Sequence, residues 1–252
     1  MSAAGTAVHA IRPDTVLDTV RTQEIVDSLA APRPAGQVVA VCGLHDGAGS
    51  STVAELLARM VGRLHPGRVV VLDADLDRGA LARRTDASAR IELDDLEAFL
   101  RTPSSVEPPW RTAAPVVGDV GTRAAGQVAD LLRWSRSRLD TVLIDVPSRW
   151  RRAVLDSLLP DIDVLVVTAR AGEPIEEELA VARHWLEGRS RTDLAERLLV
   201  VESEPASGGS RPARRRSGGW FRLGATDPAA GWTGLSRRDR DELLRLGAAL
   251  RR

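Results

Sequence analysis

Short apolar runs rich in β-branched residues punctuate the chain at Val38–Val41, Val69–Leu72, Val142–Ile144, Val164–Val167 and Leu198–Val201. None alternates apolar with polar positions, as a strand with one wet face would. Each is continuous, as a strand covered on both faces must be. Four of the runs lead into stretches that read as helix: Ser51–Leu64, Ala80–Arg101, Arg149–Leu159 and Pro174–Glu187. Strand followed by helix, repeated, predicts an α/β fold with a mostly parallel sheet and helices on both faces. Ala124–Leu139 adds an amphipathic helix before the third run. Upstream, Asp14–Ala31 reads as a helix, with Val16, Leu17, Val20, Ile25 and Leu29 partly on one face, and Pro32-Arg33-Pro34-Ala35-Gly36 stops it. Downstream, the stretch SEPASGGSRPARRRSGG is of low complexity. Ser236–Arg251 then reads as a last helix, with Leu243, Leu246 and Leu250 on one stripe. The expected division is a leader (1–36), an α/β domain (37–202), a flexible Arg/Gly/Ser loop (203–219) and a C-terminal segment (220–252) whose helix packs on the domain.

Composition narrows the chemistry. The chain has 252 residues and 35 basic side chains, and every one of these is arginine. With no lysine, there is no Schiff-base chemistry and no lysine on a transferring phosphate. Acidic residues also number 35, so the net charge is zero and no global field draws the chain to nucleic acid or an anionic membrane. Cys42 is the sole cysteine, which excludes an internal disulfide and argues against a cysteine-based zinc site. No apolar run approaches the roughly 18 residues of a membrane span. The start, MSAAGTAVHAIRPD, lacks the basic and apolar regions of a signal peptide. The expected location is the cytoplasm.

The densest local signal is VVAVCGLHDGAGSSTVAELLARM, a strand, a glycine-rich turn and a helix opening at Ser51-Thr52. A phosphate-binding loop needs that context. Glycines let backbone N–H groups converge, and the helix N-terminus adds a positive dipole end. Ser51 stands where a hydroxyl can ligate magnesium.

On these residues the sequence resembles the ParA/MinD superfamily of P-loop ATPases, whose deviant Walker A loop runs Lys-Gly-Gly-x-Gly-Lys-Ser/Thr-Thr. Gly47, Ala48, Gly49, Ser51 and Thr52 fit that pattern. His45 replaces the signature lysine, Asp46 the first glycine and Ser50 the second lysine. The Gly-Ala-Gly-Ser-Ser-Thr core looks most like the atypical TadZ/CpaE-like branch. The resemblance implies nucleotide binding by Gly47, Ala48, Gly49, Ser50, Ser51 and Thr52, with magnesium at Ser51, Asp73 and Asp145. In it, Asp75 matches the switch I aspartate that orients the attacking water, and Asp145 the switch II aspartate of the strand Leu139–Pro147. Val164–Thr168 followed by Glu173-Pro174 fits the next landmark. The adenine-reading position falls near Glu202, where the family usually has asparagine.

The departures carry a physical cost. A loop lysine neutralises the phosphates and the charge that grows in the transition state, and Ser50 carries no charge. Like charges near 4 Å cost on the order of 4 kcal/mol at an effective dielectric of about 20, and Asp46, Asp73, Asp75 and Asp145 converge on one pocket in this alignment. Arg78 and Arg149 are the candidate replacement cations, with His45 a weaker, pH-dependent one. The expectation is a scaffold or positioning factor for a secretion, pilus or cell-division assembly. It would bind ATP and magnesium weakly or not at all, with protein partners and an open possibility of a homodimer. One alternative is a working Mg-ATP hydrolase of partitioning type. Another is a DNA-binding partition factor that uses Arg211, Arg214, Arg215, Arg216 and Arg222 around Trp220-Phe221. The arginines of the last helix are diluted by Asp239, Asp241 and Glu242, so that helix is expected to pack on the domain and not to target a membrane.

Overall fold

The computed structural model describes residues 19–31, 36–64, 69–74, 81, 83, 85, 90–92, 95, 111–114, 129–130, 132–146, 153–204, 219–226 and 234–251. The described strands are β1 (Gln37–Gly43), β2 (Val69–Asp73), β3 (Arg90–Glu92), β4 (Arg111–Ala114), β5 (Thr141–Val146), β6 (Val164–Arg170), β7 (Leu199–Ser203) and β8 (Trp220–Leu223). They form one sheet in the order β3-β4-β2-β5-β1-β6-β7-β8, and every described pairing is parallel. The described helices are α1 (Thr19–Ala30), α2 (Ser50–Leu64), α3 (Ala153–Leu158), α4 (Glu176–Glu187), α5 (Thr192–Glu196) and α6 (Arg237–Leu250). The expected α/β class with a parallel sheet is what the chain adopts.

Alternate residues of β1 feed opposite layers, which explains its continuous apolar run. Val39 and Val41 join a core with Val53, Leu57 and Met60 of α2 and Leu243 and Leu246 of α6. Val38, Ala40 and Cys42 join the other, with Leu155, Leu179 and Leu194 from the helices on the far face. The leader and the last helix share the first layer. Leu29 of α1 and Met60 of α2 close around Gly247 of α6, where an added Cβ would lie 3.2 Å and 2.6 Å from them. Arg251 donates to the carbonyls of Leu29 and Ala31, tying the end of α6 to the end of α1. Ser236 caps α6 by accepting from the Asp239 amide at 3.1 Å.

Part of the helical expectation needs correction. Arg90–Glu92, inside the stretch that reads as helix from Ala80 to Arg101, is a strand paired with β4. Leu81 and Arg83 are helical, as that reading expected. Strands β3, β4 and β8 are absent from the pattern of apolar runs because each is short and mixed in polarity. Their pairing is supplied by a neighbouring strand, which overrides local preference. The helix expected over Arg149–Leu159 is described only from Ala153. It gives way to a 3-10 turn at Leu159–Asp161, where Pro160 cannot continue an α-helix.

Candidate functional site

Strand β1 lies between β5 and β6, so the connections leaving its carboxyl end and theirs diverge across the sheet. In open parallel sheets such a point forms the ligand crevice. The glycine-rich loop lies there, running from Gly43 to the start of α2 at Ser50. Gly47 and Gly49 adopt φ of +76° and +91°, a left-handed backbone that side chains rarely tolerate. The loop is tied to the sheet and to itself: Leu44 N donates to Thr168 O at 2.9 Å, Ala48 N to His45 O at 3.1 Å. Ala48 is buried, and Ser50, Ser51 and Thr52 form the first turn of α2 at intermediate exposure.

The acidic partners follow from the register. Asp73 ends β2 and pairs with Asp145 of β5, so the two carboxylates leave neighbouring strands on the same side of the sheet. Both are nearly inaccessible, at 1% and 2% exposure. Cys42 stands at the end of β1 beside β5, one residue along the register from Asp145. Burial, with the Asp145 charge adding to it, pushes its thiol up to about 12. Asp75, Arg78, Arg149, Arg211, Arg214, Arg215 and Arg216 lie outside the described residues. Of the basic–aromatic segment, Trp220, Phe221 and Arg222 are part of β8. Phe221 is buried, and Arg222 Nε donates to Glu204 Oε1 at 3.0 Å.

The structure brings residues to the loop that motif reading did not single out. Arg170, at the end of β6, donates from Nη2 to Asp46 O at 3.1 Å and from Nε to Gly47 O at 3.5 Å. His45 Nε2 stands 3.1 Å from Glu178 Oε2 and 3.5 Å from Glu173 Oε2. This is charge proximity without aligned hydrogen bonds, since those two buried oxygens receive none among the described residues. Ser203, at the end of β7, closes on Gly49, where an added Cβ would sit 3.0 Å from its Oγ. The signal for these residues is positional. Arg170 and Ser203 end β6 and β7, Glu173 follows β6 and Glu178 lies in the first turn of α4, all on the β6 side of the loop, which only the strand order reveals.

The residues meet two requirements of a magnesium nucleotide unequally. The loop conformation and the hydroxyls at the helix start suit a phosphate in shape. Asp73, Asp145 and Ser51 are oxygen donors of the kind magnesium takes alongside water and phosphate. Among the described residues no group of three His, Cys, Asp or Glu is arranged to hold a metal ion, so those oxygens would need water or phosphate to complete a shell. Charge is the deficit. Two buried carboxylates face the site, and the one described arginine on the loop directs its donors to loop carbonyls.

Comparison with solved structures gives the same architecture. A ParA family ATPase from Chlorobium tepidum TLS matches with a TM-score of 0.54 at 17% identity, covering 86% of this chain and 90% of that one. The septum site-determining protein MinD complexed with Mg-ADP, from Pyrococcus horikoshii OT3, matches with a TM-score of 0.57 at 16% identity, covering 84% and 94%. A putative plasmid partition protein from Borrelia burgdorferi B31, bound to AMPPNP, gives 0.55 at 12% identity, covering 84% and 97%. At these identities the likeness is one of fold. No protein-family model and no curated protein sequence matches the chain.

Proposed function

We propose that this chain is a ParA/MinD-like P-loop protein of the atypical TadZ/CpaE-like kind. It serves as a cytoplasmic scaffold or positioning factor, binds nucleotide weakly and hydrolyses it little. The observation that carries this reading is the pairing of a retained loop shape with a stripped loop charge. Gly47 and Gly49 keep their left-handed backbone, while Ser50 and His45 occupy both lysine positions in a chain that has no lysine. Transition-state charge on a transferring phosphoryl group needs a fixed cation. Arg170 is tied to the carbonyls of Asp46 and Gly47, and His45 faces Glu173 and Glu178 of its own chain. A scaffold asks only that the fold persist.

Titration calorimetry with Mg-ATP, paired with a phosphate-release assay, tests this. The expected result is no saturable heat below about 1 mM, an affinity weaker than about −4 kcal/mol, and no release above the uncatalysed background. Turnover at rates of about 1 per minute or faster, abolished by Asp75→Ala with binding intact, would overturn it and establish a working ATPase. The buried register pair Asp73 and Asp145 favours that second reading, because such a pair is stabilised by a divalent cation.

A further inference from the structure

A loop lysine in a phosphate site does two separable jobs. It adds charge where the phosphates sit, and it helps the loop keep its shape. In this chain the second job has a visible candidate. The amides of such a loop converge on the ligand, so its carbonyls point outward. Arg170 reaches the loop on that outward side, with one guanidinium spanning two consecutive carbonyls, Asp46 O at 3.1 Å and Gly47 O at 3.5 Å. A planar fork of donors suits such a pair of acceptors, and a single ammonium does not. Glu173 Oε1 lies 3.9 Å from Nη1 and braces the fork from behind. The close approach also requires glycine, since a Cβ at Gly47 would stand 2.8 Å from Nη2. On the opposite flank Ser203 seats against Gly49.

Without restraint, a turn with two glycines at positive φ gains more backbone entropy on opening than any other kind, and a bound anion would ordinarily offset that. We propose that Arg170 is a positioning residue that holds the glycine-rich loop in its phosphate-cradling curvature with no anion present. Arg170 thereby supplies the shape-keeping part of the absent lysine's role and leaves the electrostatic part unfilled. The loop is a fixed feature of the surface, held from β6 and independent of ligand. The inference rests on the P-loop part of the reading above and stands whether or not nucleotide binds, so a failed exchange test and a positive Mg-ATP titration are separate outcomes.

Hydrogen–deuterium exchange on the full chain, in phosphate-free buffer without nucleotide, tests it. Arg170 is half exposed, so Arg170→Ala is expected to fold with an unchanged melting temperature. Exchange of the Ala48 amide, which donates to His45 O within the loop, should then accelerate about tenfold, the size of one net hydrogen bond to a local opening. Strands β1 and β5 should exchange at the wild-type rate. Unchanged loop exchange would overturn the assignment. So would acceleration spread equally over β1 and β5, which would mark general destabilisation. If Arg170→Ala does not fold, Arg170→Lys serves in its place. It keeps the charge and stem but reaches only one carbonyl at a time, so faster loop exchange is expected, and wild-type exchange would overturn the proposal.

Discussion

Cys42 is buried at the end of β1, one residue along the register from Asp145, and that surrounding sets its chemistry. Its thiol is raised from 9.0 to about 12 by burial first and by the Asp145 charge second. Between those two pH values the unfolded chain has released the proton while the folded chain keeps it. The unfolded state then binds fewer protons, so stability is full below pH 9 and falls as pH rises toward 12, by up to about 1.4 kcal/mol per unit. The assignment is unusually clean because the chain has no lysine and no tyrosine to titrate in that window. Urea unfolding at stepped alkaline pH should show the slope in the wild type, and Cys42→Ala should flatten it. A variant that keeps the full slope would mean another group is responsible. At this scale the sequence made the turn at Gly47 and Gly49 legible, because strand, turn and helix are contiguous there, and it placed Asp73 and Asp145 at the ends of apolar runs that became neighbouring strands. It did not reveal that Arg170, Glu173, Glu178 and Ser203 reach the loop, because they do so from strands and a helix far along the chain.

Among the elements, the last helix is the clearest case of a pattern that predicts its own packing. Leu243, Leu246 and Leu250 fall on one stripe, and all three are buried, against a layer that includes Val53, Leu57 and Met60 of α2. Truncating Leu246 to Ala should cost about 2–5 kcal/mol, the usual range for a closed core site, and chemical denaturation should show it as a lowered midpoint at constant slope. A cost below about 0.5 kcal/mol, typical of an exposed position, would contradict that packing. The same logic explains which strands the sequence hides. The inner strands β1, β2, β5, β6 and β7 are buried on both faces and read as apolar runs. Strands β3, β4 and β8 lie toward the two edges of the sheet and are only three or four residues long with polar positions among them, so their segments carry no such run. Within the helix expected across Ala80–Arg101, Arg90–Glu92 pairs with β4 as a strand instead.

Across the whole molecule, the order of strands decides what the loop meets. With β6 and β7 on one side of β1 and β5 and β2 on the other, the loop is flanked by Arg170, Glu173 and Ser203 on one side and the buried aspartates on the other. His45, at the position of the signature lysine, lies against Glu173 and Glu178 of its own chain. Light scattering coupled to size exclusion should therefore give the same mass with and without Mg-ATP. A shift to twice the mass on adding nucleotide would contradict the proposed function. The sequence by itself determined the strand–loop–helix unit, the parallel α/β class and the absence of a lysine from the glycine-rich loop. Each of these is carried by neighbouring residues or by composition. Only the tertiary structure decided that an arginine about 120 residues downstream occupies the outside of the loop, because strand order fixes which side chains share an edge of the sheet, and that order is set by packing between segments far apart in the chain.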